Sequence, residues 1–221
     1  DPAAFLARAT EAGLITLDDL ALEPFLQLVY AEAETLTDYA ALLDLAQQAN
    51  AQAAALRAIA QFAEGSQGEA AGEAPGIEIF EAAGIDGLVI HAEGEDPIGN
   101  TLLHSAVTSA LSTAAVLGND ANSVTDIQAI VDSFEAILLH SAMPGADGVI
   151  EPTADHYAAI GATQSAALSP DGIALLNDVI GRKAPSTIGD TPMIESLSAT
   201  VDGLMALADQ TLAADAPLPD L

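Results

Sequence analysis

Cysteine and tryptophan are absent, and cationic side chains nearly so: four Lys and Arg stand against 33 Asp and Glu in 221 residues, a formal net charge of −29. Without cysteine the chain can form neither a disulfide nor a thiolate metal site, and redox compartment is left open. With Lys183 the sole lysine beside three arginines, the groups that bind phosphate are few, and the carboxylates repel polyanions. Nucleic acid and anionic membrane are therefore not expected as partners. Aromatics make up only 4% of residues. No apolar run approaches the ~20 residues that cross a bilayer. A Gly-x-Ser-x-Gly elbow, a phosphate-binding loop and a dinucleotide fingerprint are all missing. Carboxylates are so abundant that no pair stands out as an acid–base couple. The chain starts at Asp1-Pro2 with no Met and no signal peptide, which leads us to expect a mature, processed or excised product.

What is present is hydrophobicity of one kind. Hydrophobic residues reach 51%, much of it alanine, whose faces bury little area per residue and let helices approach closely. The organising stretch is Val124–Leu139. Ile127, Ile130, Val131, Phe134, Ile137 and Leu138 recur at three- and four-residue steps and share one helical face. Asp126, Gln128, Asp132, Ser133 and Glu135 take the other. Thr125 with Gln128 gives a Thr-x-x-Gln capping box, and Asp126 stands at the positive end of the helix dipole. Similar openings stand at Thr37-Asp38 and Thr191-Pro192.

These repeats predict an all-α fold of three tandem three-helix bundle modules with short linkers. Module one spans 1–64, module two 75–142 and module three 152–212, with an extended tail at 213–221. In module one, a first helix with Phe5 and Leu6 stops at Gly13, and a second covers Leu22–Ala33, with Phe25, Leu26, Val29 and Tyr30 inward. A third runs from Thr35–Asp38 to Ala63 on a seam of Tyr39, Leu42, Ala46, Ala49, Ala53, Leu56, Ala60 and Ala63. That helix is longer than one module needs, so its second half is expected to pack on a neighbouring module or subunit. Residues 65–76 have linker composition.

Module two has a helix Ile77–Ala83 ending at Gly84-Ile85, then an insertion whose Leu88-Val89-Ile90 could pair with Gly148-Val149-Ile150. Its second helix spans Asn100–Leu117, stopped by a left-handed Gly118-Asn119. Module three has helices from Ala154 to Ile160, closed by Gly161, from Ser169-Pro170-Asp171, and from Thr191-Pro192. The last of these buries Ile194, Leu197, Val201, Leu204 and Met205.

No catalytic, cofactor-binding or metal-ligating residue is singled out. His91, His104, His140 and His156 never share a helix at metal-ligand spacing, so capping or solvated roles are expected. The acidic loops Asn119–Asn122 and Glu93–Asp96 lack the order of a calcium-binding loop. They allow only weak Ca²⁺ or Na⁺ association, with no cofactor. The Asp-Gly pairs at 86–87, 147–148 and 171–172 read as turns and a helix start.

Three stretches carry a resemblance: Phe80-Glu81-Ala82-Ala83-Gly84-Ile85 with Tyr157-Ala158-Ala159-Ile160-Gly161-Ala162, then Leu175-Leu176-Asn177, then Thr125 to Asp132. Together they resemble the GA-like three-helix-bundle repeats of large, acidic, secreted bacterial surface and adhesin-type proteins. The likeness is best over module two, and the insertion at Asp86–Gly99 departs from the pattern. It implies a non-enzymatic extracellular or cell-surface element, structural or adhesive, that forms a homo-oligomer or polymer such as a filament or surface matrix. Albumin binding, known in some such modules, is not carried over, because no matching residue set is present. A binding module for a host or matrix ligand is the first alternative. An acidic intracellular protein of a salt-adapted organism is the second. In each case the carboxylates repel one another, and the compact state is expected to depend on screening salt or bound cations.

Overall fold

The computed structural model describes residues 13, 15–33, 36, 38–65, 73–88 and 100–214. Every regular element among them is helical: α1 (Leu22–Ala31), α2 (Tyr39–Gly65), α3 (Ile77–Ala82), α4 (Asn100–Leu111), α5 (Val124–Ala142), α6 (Ala154–Ala159), α7 (Thr163–Ala166), α8 (Pro170–Ile180) and α9 (Thr191–Ala214), with 3₁₀ turns at Gly118–Asp120 and Pro185–Thr187. The all-α expectation holds. The expected first helix, the linker core 66–72, most of the insertion (with Val89, Ile90 and His91) and the tail lie outside the described residues.

The chain divides into two compact units, Asp1–Val89 with Leu117–Gln128, and Ile90–Val116 with Ala129–Leu221. This division does not follow the three expected modules, because residues 75–142 are shared between the units.

In unit one the spine is α2. Its first half takes α1 and the connector before it, in a core of Ile15, Ala21, Phe25, Leu45, Ala46, Ala49 and Ala53. Phe25 is fully buried, worth about 2–3 kcal/mol of apolar transfer, whereas each alanine methyl adds only about 0.8. Close approach and one aromatic anchor therefore hold this pair. The second half of α2 packs on α3 and on the Gly118–Asp120 turn, both assigned by sequence to module two. Two polar contacts fix it: Gln52 Nε2 donates to the Ala83 carbonyl at 2.8 Å, and Gly118 N–H donates to Glu64 Oε2 at 2.9 Å.

In unit two, α9 packs on α7, α8 and α4. Ser169 caps α8 by accepting from Gly172 N–H at 3.1 Å, with Pro170 at the first position, as the sequence predicts. Two short helices, one in each unit, end by the same device. Gly84 (φ +79°) and Gly161 (φ +74°) take the left-handed conformation. Each donates to the carbonyl three residues back (Glu81 and Ala158, both 3.0 Å). The next residue donates to the aromatic's carbonyl, Ile85 to Phe80 and Ala162 to Tyr157, which completes a Schellman closure. Both aromatics are fully buried. An added Cβ at Gly161 would stand 2.4 Å from Thr113 Oγ1, so packing and conformation both demand glycine there.

Several local expectations change. The cap of α5 is Ser123, whose Oγ accepts from Asp126 N–H at 3.1 Å and donates to Asp126 Oδ2. Gln128 instead clamps the backbone of Asp86, accepting from its N–H at 3.0 Å and donating to its carbonyl at 3.2 Å. The other two long helices are capped in the same way, Asp38 accepting from Ala41 N–H and Asp190 from Met193 N–H. Helix α4 stops at Leu111 rather than Leu117. There Ser112 and Thr113 hydroxyls turn back onto the Thr108 and Ala110 carbonyls, and Gly118 is not left-handed. Tyr30 and Tyr39, expected inward, are 67% and 50% exposed, because the α1–α2 core is closed by Phe25 and small residues below them. Leu204 is exposed as well. No strand occurs among the described residues, and Ile150 is exposed.

Unit one is latched by charge. Arg57 forks onto both oxygens of Asp18, donating from Nη1 to Oδ2 at 2.8 Å and from Nη2 to Oδ1. Asn50 binds the same connector through Asp18 N–H and the Thr16 carbonyl. The Arg57 hydrogen bond, helped by that of Leu20 N–H, holds the Asp18 carboxyl below its ordinary range. A depressed folded value means that the latch contributes fully above the unfolded value, about 4, and is lost as pH falls through the folded one. We predict that Asp18→Asn lowers the urea midpoint at pH 6 and that the gap to the wild type closes below about pH 4. A gap unchanged in acid contradicts the latch.

Candidate functional site

The densest polar constellation lies in unit two, around Asn177. Helix α8 carries Asn177 on its inner face beside Leu176 and Ile180, where it is 2% exposed. The Schellman closure of α6 sets Tyr157 against it. Tyr157 OH donates to Asn177 Oδ1 at 2.5 Å, and Asn177 Nδ2 donates to the Pro152 carbonyl at 2.8 Å. The Asn177 carbonyl accepts from Gly181 N–H at 2.8 Å and faces His140 Nε2 at 3.0 Å. A carbonyl can only accept, so the proton of neutral His140 sits on Nε2. The same surface forms a cleft of about 350 Å³ bordered by His140, Glu151, Asp178 and Arg182.

This constellation is built to hold the fold. Burial, with a smaller effect of Glu151, pushes the Tyr157 phenol far above its ordinary value, so it keeps the proton it donates to Asn177. Arg182 is forked onto Asp178 at 3.0 Å, and the hydrogen bond of that guanidinium lowers the Asp178 carboxyl. The Asn177 amide bonds Tyr157 through Oδ1 and the Pro152 carbonyl through Nδ2.

A second buried group joins α7 to α9. Ser165 and Ser198 hydroxyls share a hydrogen bond, Ser198 also donates to the Ile194 carbonyl, and Thr191 Oγ1 donates to the Ile160 carbonyl. Glu195 accepts from Gln164 N–H at 3.0 Å, while its Oε2 is buried without a hydrogen-bond partner. These hydroxyls tie helices together.

Of the other histidines, two lie among the described residues. His156 Nδ1 accepts from Thr153 N–H at 3.0 Å, capping α6, and His104 lies half-buried on α4. Among the described residues, no three His, Asp or Glu side chains converge as a metal set. Gly87 and Gly148 are left-handed turn glycines, and Asp171-Gly172 lies in the first turn of α8. The sequence signal for the Asn177 network was an isolated asparagine on the apolar face of α8. In the sequence it stands only as the end of Leu175-Leu176-Asn177.

The outer face of α9 carries several exposed apolar side chains. Met193, Leu204 and Leu207 are 44%, 53% and 57% exposed, and the last buried residue of the helix is Val201. With half-buried Leu197 they fall within about 80° of arc at 100° per residue, while Glu195 and Asp202 lie on the opposite side. An uncharged apolar stripe thus stands out on a protein of net charge −29.

No family model, curated protein or solved structure matches this chain.

Tyr157→Phe and Asn177→Ala should each destabilise unit two by about 1–3 kcal/mol, the cost of orphaning a buried polar partner. The double variant should cost less than the sum. Urea titration followed by circular dichroism checks this, and strict additivity contradicts the network.

Proposed function

We propose that the protein is a non-enzymatic structural or adhesive element of a bacterial surface, and that it works by associating with copies of itself. The observation that carries this reading is the charge-free apolar face of α9. Two molecules of like charge can approach only where carboxylates are absent or screened, and the Met193–Leu207 stripe is such a place. The helix continues for thirteen residues past Val201, to Ala214, with none buried among those whose side chains are described. A helical segment of that length is marginal alone in water and is stabilised by a partner helix. The recurrent designs in the chain, two aromatic-anchored Schellman ends and three side-chain-capped long helices, suit a modular element of the GA-like kind that the sequence resembles. The extracellular setting belongs to the same proposal, supported by that resemblance and by the acidic composition.

Leu204→Asp with Leu207→Asp places two carboxylates on the stripe without touching the core. Sedimentation velocity in 1 M NaCl should show wild-type assemblies and a monomeric double variant. Negative-stain microscopy should show particles or filaments larger than one chain only for the wild type. A wild type that stays monomeric at every salt concentration and protein load overturns the proposal.

A further inference from the structure

Unit one carries a groove of its own. It opens between the start of α1, the second half of α2 and the turn leading into α5, with a volume of about 360 Å³. Leu20, Leu22, Leu26, Leu56 and Val124 give it an apolar floor and walls, and Asp19 and Glu23 stand at its rim. Leu22 is 46% exposed, an unusual position for a leucine beside a concave surface. Among the described residues, no Lys or Arg lines the groove. Arg57, also in unit one, is already forked onto Asp18.

We propose that this groove docks a segment of another protein in which an apolar side chain adjoins Lys or Arg. The apolar walls take the aliphatic group, and Asp19 and Glu23 receive the cation, whose aliphatic stem covers the intervening apolar surface. Charge decides the class of partner. An acidic or neutral peptide leaves two rim carboxylates facing unfavourable or indifferent neighbours. A second copy of this chain is a poor occupant, because it carries only four cations in 221 residues and two of these, Arg57 and Arg182, are held by Asp18 and Asp178. The groove is thus an adhesive site for a basic partner, separate from the α9 face.

The probe is a fluorescein-labelled ten-residue peptide of alternating leucine and lysine, followed by fluorescence anisotropy with the full chain in 0.15 M NaCl. Serine–lysine and leucine–glutamate peptides serve as controls. The leucine–lysine peptide should bind at least about tenfold tighter than either. Leu22→Arg, and Asp19→Asn with Glu23→Gln, should each weaken it by about tenfold, as expected for close charge and apolar contacts. Glu135→Gln with Asp171→Asn, exposed changes in unit two, should leave binding unchanged.

Equal binding of the leucine–lysine and serine–lysine peptides, or an equal loss in the unit-two variant, means diffuse attraction to an acidic surface and overturns the proposal. Absence of binding does so too. Two further outcomes reassign the groove: loss of assembly in Leu22→Arg would place a second copy there. A melting temperature lowered by several degrees in that variant would place the chain's own segment there. Either result overturns the basic-partner reading while leaving the α9 proposal to its own test.

Discussion

Mutual repulsion among 33 carboxylates is opposed in this protein by a core in which alanine does much of the packing. Of the 38 buried hydrophobic residues described, twelve are alanine. Each contributes a methyl group's worth of transfer free energy, so the core gains less per residue than one of leucine and isoleucine. The compensation is proximity. Small residues on α2 let α1, α3 and the Gly118–Asp120 turn lie against one helix, and a few aromatics (Phe25, Phe80, Phe134, Tyr157) supply the large buried surfaces. Polar connections are then placed where they align these thinly padded contacts: Arg57 on Asp18, Gln52 on Ala83, Gln128 on Asp86, Asn177 on Tyr157.

Much of the helical content could be read from the sequence because the period is strong and the stops are chemical. Gly84 and Gly161 end their helices as expected, since a left-handed residue after an aromatic turn leaves glycine as the unstrained choice. Pro170 and Ser169 open α8 for equally local reasons. Where the reading missed, a neighbour distant in sequence decided. Gln128 resembled a capping partner, yet its amide is used by Asp86, 42 positions away, and Ser123 takes the cap. Gly118 resembled a helix stop, yet its place is set by Glu64 and the close backbone of Ala60.

The grouping of helices was less legible than the helices themselves. A repeating pattern suggests repeating bundles, but it does not state which helices bury one another's faces. Helix α2 is long enough to serve two sets of partners, and the Gly118–Asp120 turn and first residues of α5 fall in unit one with it. The exposed stripe on α9 was hidden for a related reason: Leu204 continues the apolar pattern of Ile194 and Val201 but lies on a different arc of the helix. The Asn177 network left only a faint mark, one amide among leucines.

These features converge on a protein whose packing is made mostly through uncharged surfaces, with two ion pairs, Arg57 on Asp18 and Arg182 on Asp178, set among the described residues. Repulsion among the carboxylates opposes the compact state, and counter-ions screen it. The most direct measurement is the urea midpoint of the wild-type chain, followed by far-ultraviolet circular dichroism as NaCl is raised from about 0.01 to 2 M, where the screening length falls from about 30 Å to a few ångströms. The account predicts a midpoint that climbs steadily with salt and a helical signal that weakens when salt is dialysed away. A midpoint and ellipticity indifferent to salt would contradict it.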